Sequence, residues 1–114
     1  MNEDFVTYEL AKKLKRNGFD KDTAHYYNDE GQICVSLVDE EYPYPCPTIS
    51  QALKWLREEK KIHLEISFWH TTETWSCKVV KITNLPDGEW EEHRFDSWKN
   101  AVLKGIEYVL KYWI

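Results

Sequence analysis

Three side chains come nearest to a reactive set: His63, Glu65 and Cys77. Residues two apart on a strand share a face, so His63 and Glu65 point the same way if residues 62–68 are extended. Cys77 falls on the strand expected beside them. An imidazole, a carboxylate and a thiolate together suit a zinc ion, and a thiol beside an imidazole suits nucleophilic catalysis. A small enzyme or metal site therefore requires a register that turns all three to one side. The plainer expectation is a polar outer sheet face. Asp87, Glu89, Glu91 and Glu92 crowd after a turn, but acid–base work by paired carboxylates needs a pocket, and a solvated loop is the simpler expectation. His25, His70 and His93 are scattered. Glycine-rich phosphate loops and the HExxH, GxSxG and EF-hand patterns are absent from the sequence. The sequence thus predicts no catalytic residues, no metal ligands and no cofactor.

The cysteines, Cys34, Cys46 and Cys77, are odd in number and widely spaced, with no CxxC. That is neither a disulfide framework nor a zinc ribbon. Free thiols in a reducing, cytoplasmic setting are the expectation.

The aromatic residues carry the stronger signal. They make up 15% of the 114 residues, with six tryptophans. Trp69, Trp75 and Trp90 are expected near strand ends or on the face opposite the apolar one. Tyr42 and Tyr44 alternate with Pro43, Pro45 and Pro47 in a stiff, polyproline-like strut. Exposed aromatic patches mark partner surfaces, so the candidate interaction surface is Tyr42, Tyr44, Trp69, Trp75 and Trp90. The formal charge of −5 argues against nucleic acid as the partner, because phosphate binding needs a positive field. An unidentified protein partner, or a second copy in a homo-oligomer, fits better. Residues 22–53 hold no Lys or Arg but six acids, Asp22, Asp29, Glu30, Asp39, Glu40 and Glu41. These read as a charged edge that prevents strand pairing. Alternatively, they imitate phosphates in an inhibitor of a host nucleic-acid enzyme, provided they lie on one side.

The elements that must position these groups follow from periodicity. Residues 47–66, PTISQALKWLREEKKIHLEI, organise the chain. Thr48 and Gln51 fit a capping box. Ile49, Ala52, Leu53 and Leu56 mark one helix face, with Trp55 at its rim. Ile62, Leu64, Ile66 and Phe68 then alternate with polar residues as a strand. Upstream, Thr7 caps a helix over residues 8–17, closed by Gly18 and by Phe19 against Leu14. Lys12, Lys13, Lys15 and Arg16 gather at its end, where cations suit the helix dipole. Residues 24–28 and 33–38 form a hairpin with Ile33, Val35 and Leu37 inward. Residues 75–82 return from the strand at 62–68, and Pro86-Asp87-Gly88 marks a turn. Residues 89–95 add a weak edge strand. Asp96 or Ser97 caps a last helix to about residue 112. Its apolar arc is wide, which predicts either a helix wedged between layers or a self-association surface.

The fold class is α+β: a single domain over residues 1–114, in the order α-ββ-α-βββ-α. One antiparallel sheet of four or five strands carries three helices on one face. The core gathers Trp55, Leu56, Leu64, Ile66, Val102 and Ile106. No apolar run is long enough for a membrane span, and the N-terminus lacks the apolar stretch of a signal peptide.

Residues 5–20 (FVTYELAKKLKRNGFD), 47–66 and 95–110 (FDSWKNAVLKGIEYVL) resemble a family of short, uncharacterised proteins encoded by bacteriophages and mobile elements of gut Bacteroidetes and relatives. The resemblance covers somewhat under half of the chain, in order, and does not extend over residues 69–90. It implies a cytoplasmic accessory protein linked to a phage or mobile element, and nothing about mechanism.

Overall fold

The computed structural model describes residues 5–21, 23–35, 44–81 and 89–112. They form an α+β protein with helices α1 (Tyr8–Arg16), α2 (Ile49–Glu59) and α3 (Trp98–Tyr112) and strands β1 (His25–Tyr27), β2 (Ile33–Val35), β3 (Tyr44–Pro45), β4 (Ile62–Trp69), β5 (Thr74–Lys81) and β6 (Glu89–Phe95). The described strands make two three-stranded antiparallel sheets, ordered β2-β1-β3 and β4-β5-β6, where the sequence predicts one larger sheet. The difference comes from β3. The described part of the Pro-rich strut is extended at Tyr44-Pro45, and these two residues pair with Tyr27 and Tyr26 and close the small sheet locally. Pro45 sits on the outer strand, where its missing N–H removes no inner ladder bond. The chain forms two compact units, Met1–Ala52 and Leu53–Ile114.

In the first unit, Thr7 Oγ1 accepts from the Leu10 N–H at 3.2 Å and caps α1. Gly18 takes the left-handed stop at φ 96°. The Phe19 N–H donates to the Leu14 carbonyl at 2.9 Å, and that of Gly18 to Lys15 at 3.1 Å. This is the Schellman closure the sequence predicts, with Phe19 and Leu14 both buried. Tyr8 is the hub of this unit. Its ring lies 5.5 Å from that of Tyr27 and 5.7 Å from that of Tyr44, and its hydroxyl donates to the Asp29 carbonyl at 3.1 Å. The hairpin turns where predicted, but Ile33 and Val35 are 47% and 65% exposed rather than inward. They stand opposite Tyr27 and His25, on the side that Tyr27 buries. Strand β2 is one edge of the sheet, however, and α1 packs over β3 at the other. Leu37 lies outside the described residues.

The capping box of α2 forms in both directions: the Gln51 N–H donates to Thr48 Oγ1 at 3.1 Å, and the Thr48 N–H to Gln51 Oε1 at 2.8 Å. Trp55 belongs to the buried face, and Leu53 takes the rim position instead. Lys61 ends the helix in the left-handed region, φ 58°, a place where glycine is usual.

In the second unit, β4 and β5 pair along their whole length, from Ile62 opposite Lys81 to Trp69 opposite Thr74. Strand β6 forms as predicted and lies at an edge. It pairs Glu92 with Cys77 and Phe95 with Trp75, so His93 and Arg94 together stand opposite Ser76 in a bulge. The Asn100 N–H donates to Ser97 Oγ at 3.1 Å, which makes Ser97 the cap of α3. Helix α3 packs on β4, β5 and β6. Its buried residues are Ala101, Val102, Gly105, Ile106, Val109 and Leu110. At ~100° per residue these fill about half the helix circumference, so much of the wide arc is covered within the chain. Of the predicted core, Trp55, Leu56, Leu64, Val102 and Ile106 are buried, and Ile66 is half-buried.

Gly105 sets the spacing of helix and sheet. A Cβ there would collide with Cys77 Sγ and come within 2.8 Å of Leu64 Cδ2. Glycine inside a helix costs about 1 kcal/mol relative to alanine, yet Gly105→Ala is expected to destabilise by about 1–3 kcal/mol because overpacking outweighs propensity. Chemical denaturation of Gly105→Ala, Cys77→Ala and the double variant checks this; the double variant should lose less than the sum of the two. Thr48→Ala should cost about 1 kcal/mol, read as a lower melting temperature.

Candidate functional site

The alternation of β4 and β5 gives their sheet two faces. Ile62, Leu64, Ile66 and Phe68 share one face with Val79, Cys77 and Trp75, and α3 lies over it at Leu64 and Cys77. The open face carries His63, Glu65, Ser67 and Trp69, with Val80, Lys78, Ser76 and Thr74 opposite them. The reactive set therefore does not assemble. Cys77 pairs with Ile66 beneath α3, while His63 and Glu65 point to the other side, where His63 Nε2 lies 3.9 Å from Glu65 Oε1. No group of three or more His, Cys, Asp or Glu side chains among the described residues is placed to hold a metal ion.

The acids after the turn are also divided. Glu91 joins the open face, opposite Lys78, and its Oε1 lies 2.8 Å from His93 Nε2. Glu92 pairs opposite Cys77 and forms an ion pair with Arg94. Asp87 and the Glu89 side chain lie outside the described residues. Of the six acids in residues 22–53, Asp29 and Glu30 occupy the exposed β1–β2 turn, and Asp22, Asp39, Glu40 and Glu41 lie outside the described residues. The basic end of α1 is partly engaged within the chain. Lys12 Nζ is 3.2 Å from Glu9 and 4.5 Å from the centre of the Tyr8 ring, and Lys15 Nζ sits 5.5 Å over Tyr44.

The predicted interaction residues separate in the same way. Tyr44 is half-buried against Tyr8 in the first unit. Trp69 and Trp75 belong to the second unit but to opposite faces of its sheet. The Trp90 backbone pairs with Val79; its side chain, and Tyr42, lie outside the described residues. The β4–β5 hairpin instead gathers a different aromatic group. Phe68 lies 5.2 Å from Trp75 and 5.1 Å from His70, ring centre to ring centre. On the open face the Trp69 ring is 4.8 Å from that of His93, and its indole N–H donates to Ser76 Oγ at 2.8 Å. Ser76 is buried beneath it, 3% exposed. Phe68 and Trp69 themselves remain 42% and 43% exposed. Sequence reasoning missed Phe68 and His93. The signal for His93 is its two-residue spacing from Glu91, which puts both on one face of a strand. A shallow depression of about 390 Å³ near the start of α3 is lined by Arg94, Phe95, Asp96, Asn100 and Lys104, without a nucleophile and base in contact.

Comparison with family models, curated proteins and solved structures gave no match for this chain.

The thiols are set up for burial rather than reactivity. Burial pushes the Cys77 thiol up to about 12, and the Glu92 carboxylate adds to the rise. Burial also raises Cys46, partly offset by a hydrogen bond with Tyr27. The Tyr27 hydroxyl donates to the Val6 carbonyl at 2.6 Å and is likewise raised, chiefly by burial and then by Cys46. A thiolate attacks and a thiol does not. At about pH 7.5, an aromatic disulfide reagent should therefore modify half-buried Cys34 readily, and Cys46 and Cys77 only in denaturant. Because folding favours the protonated thiols and phenol, their contribution to stability is complete below about pH 9 and declines as pH rises towards 12. Denaturation curves across that range should show a falling midpoint.

Proposed function

We propose that this chain is a non-enzymatic protein-interaction module, an accessory protein of a bacteriophage or mobile element, and that the end of the β4–β5 hairpin is its contact surface. The observation that carries the reading is the exposure of Phe68 and Trp69, 42% and 43%, consecutive residues at the end of the hairpin that leave one aromatic side chain open on each face of the sheet. Large aromatic side chains at the surface lose most by staying in water and gain most from a partner. The separation of His63 and Glu65 from Cys77 favours this reading over a reactive site. The resemblance of residues 5–20, 47–66 and 95–110 supports the phage or mobile-element setting.

The test is capture from cells carrying the element, with the tagged chain and a Phe68→Ser/Trp69→Ser variant whose fold is verified by circular dichroism. A partner held by the parent chain and lost by the variant is the expected result. Identical capture by both, or none, would overturn the reading.

A further inference from the structure

The geometry points to a guanidinium as the group recognised on the open face of β4, β5 and β6: an arginine of a partner protein, stacked on Trp69 and paired with Glu91. This rests on the reading of the chain as an interaction module and adds the chemistry of its partner. Trp69 presents an indole that is 43% exposed. It makes a ring contact with His93 and a hydrogen bond to Ser76. His93 links the indole to a carboxylate, with one ring contact of 4.8 Å and one Nε2–Oε1 distance of 2.8 Å to Glu91. An aromatic platform and an acid thus lie one imidazole apart on the same face. The Glu91 side chain is 42% exposed, and the distance to His93 involves its Oε1; a carboxylate has two oxygens and can accept a second donor.

The surrounding charge selects a cation. Across the three strands Lys78 stands between Glu65 and Glu91, and Arg94, opposite Ser76, is paired with Glu92; these are three carboxylates to two cations, and the chain carries −5 overall. Tryptophan is the best ring for a cation, and arginine meets rings more often than lysine does. Its planar fork can stack on the indole and still donate to a carboxylate at the edge, which a lysine ammonium cannot do in the same geometry. Rings of this chain already hold cations of its own, with Lys60 Nζ 5.4 Å from the centre of the Trp55 ring and Lys12 Nζ 4.5 Å from that of Tyr8.

The experiment titrates the whole chain with a short arginine-bearing peptide and with its lysine and glutamate counterparts. Binding is followed by the indole N–H resonances of the six tryptophans, with that of Trp69 assigned from Trp69→Phe. The arginine peptide should move the Trp69 resonance and bind more tightly than the lysine peptide, and the glutamate peptide should not bind. Trp69→Ala and Glu91→Gln should each weaken arginine binding by about two- to fivefold, and Trp69→Phe by less than Trp69→Ala. Equal binding of arginine and lysine peptides, unchanged in both variants, would show charge attraction alone and overturn the proposal, as would no binding. Capture of a partner that is lost in the Phe68/Trp69 variant, combined with no arginine preference, would overturn the guanidinium while leaving the interaction module in place.

Discussion

The second unit depends on one close approach, that of the α3 backbone to the β4–β5 sheet at Gly105. Only a residue without a side chain lets the helix settle where Cys77 and Leu64 already occupy the space. The approach buries Val102, Ile106 and Val109 completely. It also fixes the character of Cys77, since a thiol roofed by a helix is kept protonated and out of reach. A group that the sequence offers as a nucleophile is therefore a packing element. Buried hydrophobic contact at this density is what a small unit has in place of a large core.

Local chemistry and the hairpins of strands that follow one another were legible in the sequence, and the pairing of Tyr44-Pro45 was not. The Thr48–Gln51 capping box and the Gly18–Phe19 closure involve neighbours along the chain, and both form as their residue types require. The helix end at Lys61 carried no such signal, because the left-handed stop there is made by a residue that does not prefer it. The single sheet failed for a related reason. Alternation identifies a strand but does not name its neighbour, and Tyr44-Pro45 found a partner in β1 that a proline-rich segment does not advertise. Ile33 and Val35 alternate as inward residues should, yet coverage of an outer strand is decided by where the helix lies.

The failed convergence of His63 with Cys77 has a simple geometric origin. The loop between Trp69 and Thr74 holds four residues, so Ile62 opposes Lys81 and Leu64 opposes Val79. Every odd position on β4 then faces an even one on β5, and His63 and Cys77 take opposite sides. A register one residue away would bring them to the same side. The same parity sets Trp69 on the open face and Trp75 on the other. What the sequence presents as one aromatic patch becomes two groups back to back, Phe68 with Trp75 and His70 on one side, Trp69 with His93 on the other.

The bulge in β6 governs how the chain passes from sheet to helix. With His93 and Arg94 both opposite Ser76, the alternation slips by one, and Phe95 returns to the side that Glu92 occupies and is buried, 7% exposed. Were the bulge flattened at its present length, Phe95 would turn to the open face and Arg94 under the helix; with one codon lost between Glu92 and Phe95, a regular strand would keep Phe95 opposite Trp75. Residue count and bulge are therefore coupled: one residue fewer removes the bulge and leaves Phe95 in its seat, and the extra residue is accommodated only by the bulge.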